Sequence, residues 1–208
     1  MRLIFLLILL SVLSCGNSSS GGSHSSIEKQ QEEQITPSGD KTYLATLRPL
    51  NNTVSGFIPS GQTEVRYIGQ IIQVKTQLED DASVVHIQNL HNGSACPTMS
   101  DDTNGDGYID EVEMLESTQD ILFPMDSNLS SLTEGNFLRG GPFIYSNSVK
   151  YSVLMNELQK DSLNLEGRVV VVHGVYASAN LPSTVATTNG RAINLSLPMA
   201  CGVLHLSP

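Results

Sequence analysis

Residues 167–173 have the sequence GRVVVVH, and the four consecutive valines decide the class of fold. Successive side chains of a strand point to opposite faces of the sheet, so an unbroken run of valines is apolar on both faces. Val169–Val172, ending at His173, is therefore predicted to be a buried central strand. Residues 201–206 are predicted to close the chain as another strand.

Short strands are also predicted before this segment, where Val, Ile, Thr and Tyr recur between turn signals. The predicted strands are 42–47, 53–57, 64–74 and 83–88, and the turns are 51–52, 59–61 and 79–81. Residues 111–119 are predicted to form a helix, and 152–159 form either a helix or a strand. Regular short strands of this kind favour a mainly β fold, an antiparallel sandwich or barrel into which the acidic segment is inserted as a long loop.

The composition restricts the classes of partner. The chain has 208 residues, of which 21 are acidic and 11 basic, giving a net charge of −10. A nucleic-acid-binding protein needs a basic surface, so this balance argues against one. The absence of Trp argues against stacking on bases or sugars. An acidic chain fits a cationic partner, and a metal ion is the simplest such partner.

The acidic residues concentrate in residues 101–120, which hold eight of the 21 and contain no Lys or Arg. Within this segment, residues 102–113 (DTNGDGYIDEVE) match the twelve-residue calcium loop of EF-hand proteins. The residue at position 6 is Gly107, which supplies the sharp turn, and position 8 is Ile109. The predicted calcium ligands are Asp102, Asn104, Asp106, the Tyr108 carbonyl, Asp110 and Glu113, at positions 1, 3, 5, 7, 9 and 12. The alternative is a turn-rich acidic surface loop without an ion.

The flanks of the loop differ from those of a calcium sensor. The incoming segment 91–98 contains Gly, Pro and Cys, which disfavour a long helix, while the outgoing helix is intact. No second loop exists to pair with Ile109. Sensors act by opening pairs of helices, so we expect the calcium ion to have a structural role here.

The N-terminus has the features of an export signal. An apolar run (3–13) follows Arg2 and precedes Ser14 and Cys15. Residues 12–15 (VLSC) resemble a bacterial lipobox, which implies a signal peptide over 1–14, acylation of Cys15 and attachment to a lipid bilayer at the cell envelope. The alternative is an ordinary cleaved signal. Residues 15–40, rich in Ser, Gly and Gln, are predicted to be a disordered linker before a domain over 41–208.

The cysteines leave two interpretations open. If Cys15 carries lipid, Cys96 and Cys201 remain as an even pair in an oxidising compartment. They are then either bonded to each other or two buried free thiols.

Two segments of the domain resemble copper–zinc superoxide dismutase and, more loosely, the chordin-type CHRD domains. These are GRVVVVH (167–173) with ACGVL (200–204), and HIQ (86–88) followed by Cys96. The resemblance implies a Greek-key β-sandwich or barrel and a Cys96–Cys201 disulfide. It also implies that His86 and His173 stand at copper-ligand positions.

The same resemblance shows departures that bear on activity. Gln88 stands where the family has a second copper histidine, and Pro198 stands where it has a substrate-guiding arginine. We therefore expect a calcium-binding envelope lipoprotein that acts as a non-catalytic structural or binding module. The alternative is a copper-binding protein or dismutase-like metalloenzyme that uses His86, His91 and His173. The sequence identifies no protein partner.

Overall fold

Nine strands in the described part of the chain form one curled antiparallel sheet, a half-barrel. The computed structural model describes residues 39–51, 58–79, 85–137, 143–188 and 190–208. The strands are β1 (Lys41–Pro49), β2 (Ser60–Ile68), β3 (Ile71–Glu79), β4 (Ile87–His91), β5 (Ile121–Pro124), β6 (Phe143–Lys150), β7 (Val169–His173), β8 (Pro198–Val203) and β9 (His205–Leu206). The mainly β, antiparallel class predicted from the sequence is confirmed.

The strand order is β5-β4-β7-β8-β1-β2-β3-β6, with β9 beside β1. Every pairing is antiparallel. The valine strand β7 lies between β4 and β8, and all five of its residues are buried. The prediction of a central strand at this position is therefore confirmed.

The two faces of the sheet around β7 belong to two separate apolar clusters. We call the larger one, which includes Leu90, Val170 and Val172, the inner core. The outer core consists of Ile109, Met114, Val169, Val171 and Cys201. The alternating valines of β7 supply both clusters, so the acidic segment packs through Ile109 and Met114 on the outer face of this strand.

Side-chain hydrogen bonds connect the two ends of the half-barrel. The Tyr145 hydroxyl and the Asn147 amide, both on β6, donate to the carbonyl oxygen of Asp126, at 2.8 and 3.0 Å. Asp126 follows β5, the strand at the opposite end of the sheet order. These two bonds join the end strands where no backbone pairing is described between them.

Three α-helices are described: α1 (Glu111–Thr118), α2 (Tyr151–Leu158) and α3 (Ile193–Ser196). The helix predicted over 111–119 is confirmed as α1, and the ambiguous segment 152–159 is helical as α2. A short 3₁₀ helix (Met99–Asp101) precedes the acidic loop, so the expected absence of a long incoming helix is also confirmed.

Some boundaries were predicted wrongly. The strand predicted over 64–74 is two strands, because Gly69, with φ of 56°, permits a tight hairpin turn between β2 and β3. The turn predicted over 59–61 is wrong, since Ser60 begins β2. Of the strand predicted over 83–88, residues 83 and 84 lie outside the described residues, and the described strand runs from Ile87 to His91. Strands β5 and β6 were not predicted.

Several predictions lie outside the described residues. They concern the strand over 53–57, the signal peptide over 1–14, acylation at Cys15 and nearly all of the linker over 15–40. Within the described part, no helix has the length and apolar character that crossing a membrane requires.

Candidate metal centre

The acidic loop wraps around the carboxylate of Asp102. Its oxygens accept hydrogen bonds from the backbone N–H groups of Gly105, Asp106 and Gly107, at 2.8, 3.2 and 2.8 Å. Gly105 and Gly107 have φ values of 72° and 88°, a conformation that side-chain-bearing residues rarely adopt. The glycine predicted to turn the loop at position 107 therefore does so.

The next two ligand candidates continue this pattern. The side-chain oxygen of Asn104 accepts from the Asp106 N–H at 2.8 Å, and Asp106 Oδ1 accepts from the Tyr108 N–H at 2.9 Å. Each polar side chain thus fixes the backbone two residues further along the loop. These hydrogen bonds hold positions 1, 3 and 5 within one loop.

The last two ligand candidates, Asp110 and Glu113, are buried at the start of α1. Asp110 caps the helix, and Glu113 accepts hydrogen bonds from the Asp110 N–H at 3.1 Å, the Thr103 N–H at 2.8 Å and the Asn104 N–H at 3.1 Å. Glu113 therefore joins the two ends of the loop.

The carboxylates do not converge on one point. Among the described residues, no group of three or more His, Cys, Asp or Glu side chains is arranged to hold a metal ion. The predicted ligands Asp102, Asn104, Asp106, Tyr108, Asp110 and Glu113 lie in one continuous segment, and the carboxylate and amide oxygens among them accept hydrogen bonds from backbone N–H groups and from threonine hydroxyls. An ionised carboxylate has about four lone-pair sites, so its oxygens can accept N–H groups and ligate a cation together, and the oxygen donor set matches calcium chemistry.

The segment 184–188 holds the outer side of the acidic loop. The Thr184 hydroxyl donates to Asp106 Oδ2 at 2.6 Å, and the Ala186 N–H donates to Asp110 Oδ2 at 2.7 Å. The Thr188 N–H donates to Glu111 Oε2 at 2.7 Å. All three donors are uncharged, so the negative charge of the loop keeps no cationic partner in this segment.

Asn51 connects the loop to the sheet. Its side-chain oxygen accepts from the Ile109 N–H at 2.8 Å, and its side-chain nitrogen donates to the Ile109 carbonyl at 2.7 Å and to the Pro198 carbonyl at 2.9 Å. Asn51 was not among the site residues predicted from the sequence. Its only signal was the Asn-Asn pair predicted as a turn, which agrees with the positive φ of 49° at Asn51.

Two of the three predicted copper ligands face the outer side of the sheet. His91 pairs with Val169 and His173 pairs with Ile87, so both histidines lie on the face that carries Val169 and Val171. His91 Nδ1 faces the Gln119 carbonyl at 2.9 Å, and His173 Nδ1 faces the Ser196 carbonyl at 2.6 Å. Because a carbonyl only accepts, both Nδ1 atoms carry the proton.

The copper alternative uses His86, His91 and His173, which lie on two paired strands and at the residue before one of them. His91 and His173 are four residues apart along paired strands, about 13 Å along the strand direction at the usual rise. A hydrogen bond occupies Nδ1 of each ring, while Nε2 of each ring is buried without a hydrogen-bond partner in the described part of the chain. Gln88 shares the opposite face with Leu90. His86 precedes β4, and its Nδ1 lies 3.3 Å from the His173 carbonyl. These described histidines do not belong to any group of three or more His, Cys, Asp or Glu side chains arranged to hold a metal ion.

Burial controls the protonation of this outer face. Desolvation lowers the pKa of His91 to about 4, against a smaller opposing effect from the Gln119 carbonyl. Desolvation also lowers the pKa of His173. Burial alone would raise the pKa of Glu111, but hydrogen bonds from Thr188 and Thr187 outweigh it and the pKa lies below its ordinary value. At neutral pH the face therefore holds neutral histidines beside an ionised carboxylate.

The Cys96–Cys201 disulfide is present, with 5.8 Å between the two Cα atoms. It joins the segment after β4 to β8, and Cys201 belongs to the outer core. The bonded interpretation of the cysteines is confirmed, and the alternative of two free thiols is wrong.

Comparison with protein-family models and with curated protein sequences finds no match to this chain.

Proposed function

We propose that this protein is a calcium-stabilised, non-catalytic module of the bacterial cell envelope. The observation that carries the proposal is the Asp102 carboxylate, which three backbone N–H groups of its own loop surround. Asp102 stands at position 1 of a twelve-residue sequence that offers six oxygen ligands of the kind calcium prefers.

Electrostatics favour a cation at this loop. Residues 101–120 contain eight carboxylates and no Lys or Arg, and the described partners from 184–188 are uncharged hydroxyl and N–H groups. Partial charges on amides offset the repulsion between carboxylates less completely than a divalent ion does. A bound calcium ion therefore stabilises the folded state over the unfolded chain, in which no loop is formed.

The finer fold assignment, a superoxide-dismutase-like Greek key, belongs to the same proposal. It is supported by the pairings β3 with β6, β4 with β7 and β1 with β8, which join strands distant in sequence as Greek-key connections do. The disulfide between the segment after β4 and the ACGV strand β8 supports it as well. We propose the fold as a scaffold because Gln88 and Pro198 stand where the family has a copper histidine and a substrate-guiding arginine.

The membrane tether is the third part of the proposal. Acylation of Cys15 attaches the domain to a lipid bilayer through the linker over 15–40. Replacing Cys15 with Ser is expected to move the protein from the membrane fraction to the soluble fraction. If Cys15→Ser stays in the membrane fraction, the tether is contradicted. The calcium proposal is tested separately.

Elemental analysis of the native protein, purified without chelator, tests the calcium proposal. We expect about one calcium ion per chain and no stoichiometric copper, given the six loop oxygens and the separated histidines. Protein that contains stoichiometric copper and no calcium contradicts the proposal.

A further inference from the structure

The backbone of Ile109 is fully hydrogen-bonded by a single side chain from a distant part of the sequence. Ile109 is the eighth residue of the acidic loop, and Asn51 is 58 residues before it. The Asn51 amide accepts from the Ile109 N–H at 2.8 Å and donates to the Ile109 carbonyl at 2.7 Å. An asparagine side chain presents a donor and an acceptor side by side, as the N–H and C=O of one residue in a neighbouring antiparallel strand do.

The remaining hydrogen of the same amide ties the loop to the sheet. Asn51 Nδ2 also donates to the Pro198 carbonyl at 2.9 Å, at the first residue of β8. Asn51 itself follows β1, which pairs with β8. Asn51 and Ile109 are both buried, so these bonds are formed away from bulk water. The loop is thereby fixed to two strands of the half-barrel at its eighth residue.

We propose that Asn51 is a positioning residue for the calcium loop and replaces the second loop with which position 8 is paired in two-loop proteins. This inference rests on the proposed calcium function. The two neighbours of Ile109 are predicted ligands: Tyr108 through its carbonyl and Asp110 through its carboxylate. Fixing Ile109 fixes both of them, which reduces the ordering that calcium binding must accomplish. A solitary loop is thus preorganised by one amide.

The consequence for calcium affinity is measurable. Asn51→Ala removes all three hydrogen bonds and leaves the Ile109 backbone without its partner. Loss of a group that positions metal ligands commonly weakens metal binding by about 10- to 100-fold. We expect the calcium Kd of Asn51→Ala to increase by a factor in this range. Asn51→Asp keeps the acceptor for the Ile109 N–H but loses both donors, and its Kd is also expected to increase.

A matched control separates positioning from general stability. Asn147 donates one side-chain hydrogen bond to a backbone carbonyl, that of Asp126, which is not a residue of the acidic loop. Asn147→Ala is therefore expected to lower the thermal midpoint in chelator while leaving the calcium Kd unchanged. The Asn51 variants are expected to change the Kd as well as the midpoint.

The experiment is calorimetric titration of the full chain with calcium, with a thermal melt of each variant in chelator. A 10-fold or larger increase in Kd for Asn51→Ala or Asn51→Asp, with no change for Asn147→Ala, supports the inference. Wild-type protein that binds calcium while both Asn51 variants bind it equally well overturns the inference alone. Wild-type protein that binds no calcium overturns the proposed function, and the inference with it.

Discussion

Asp110 and Glu113 cap each other across the first turn of α1. Asp110 Oδ1 accepts from the Glu113 N–H at 3.0 Å, and Glu113 Oε2 accepts from the Asp110 N–H at 3.1 Å. This reciprocal arrangement satisfies two backbone donors that a helix otherwise leaves unpaired. The same two carboxylates are predicted calcium ligands. In the absence of an ion they still stabilise the start of the helix.

The first prediction concerns Glu113 in calcium-free protein. Glu113→Ala leaves the N–H groups of Thr103, Asn104 and Asp110 without their acceptor. We expect a loss of stability of about 1–2 kcal/mol in chelator. Chemical denaturation with chelator present measures it, with Glu116→Ala on the exposed side of the same helix as the control. An increase in stability instead means that repulsion between carboxylates dominates the ion-free loop.

The fold class and the central strand followed from the sequence because they depend on local patterns. The valines of β7 are apolar on both faces, and the start of α1 carries its own capping residues. The hairpin at Gly69 was missed because the apolar alternation continues almost unbroken from β2 into β3. When the strands on both sides of a two-residue turn have the same apolar alternation, the sequence pattern does not show where the turn lies.

The arrangement of the site depended on contacts between distant residues. The loop sequence predicts which oxygens are available, but not that they face amides, nor that Asn51 holds Ile109 from 58 positions away. The face of the sheet that Gln88 occupies depends on the register of β4 against β7. A shift of one residue exchanges the two faces, and no local pattern fixed that register.

The second prediction concerns the pH dependence of folding stability. Burial lowers the pKa of His91 to about 4, below its usual value of 6.5. Folding therefore favours the neutral ring. The resulting contribution to the free energy of unfolding is complete above about pH 6.5. It is lost as the pH falls towards 4, because the unfolded chain binds the proton more readily. The shift corresponds to about 3 kcal/mol. His91→Asn, which keeps a donor near the Gln119 carbonyl, should flatten the decline of the thermal midpoint between pH 7 and 5.

The control for this measurement is His205→Asn, because His205 is an exposed histidine paired with Glu166. All melts are made in chelator, so that protonation of calcium ligands does not enter through ion release. If His91→Asn and wild type lose stability with the same slope between pH 7 and 5, His91 is not the group that titrates on unfolding.

The third prediction concerns the disulfide. Cys96 and Cys201 are separated by 105 positions in the sequence. On the loop-entropy model, a bridge over so long a segment stabilises the folded state by about 4–5 kcal/mol. The double variant Cys96→Ala, Cys201→Ala should therefore have a markedly lower denaturation midpoint than wild type. Equal midpoints contradict the expectation that this bridge stabilises the half-barrel.

The central claim is that calcium stabilises this fold through residues 102–113, and the calcium dependence of the thermal midpoint tests it most directly. Binding to the folded state alone stabilises by about 2.7 kcal/mol when the free ion is at about 100 times its Kd. We predict that calcium raises the midpoint of wild type and of Glu116→Ala, and has little effect on Glu113→Ala. A wild-type midpoint that is the same in millimolar calcium and in chelator contradicts the account.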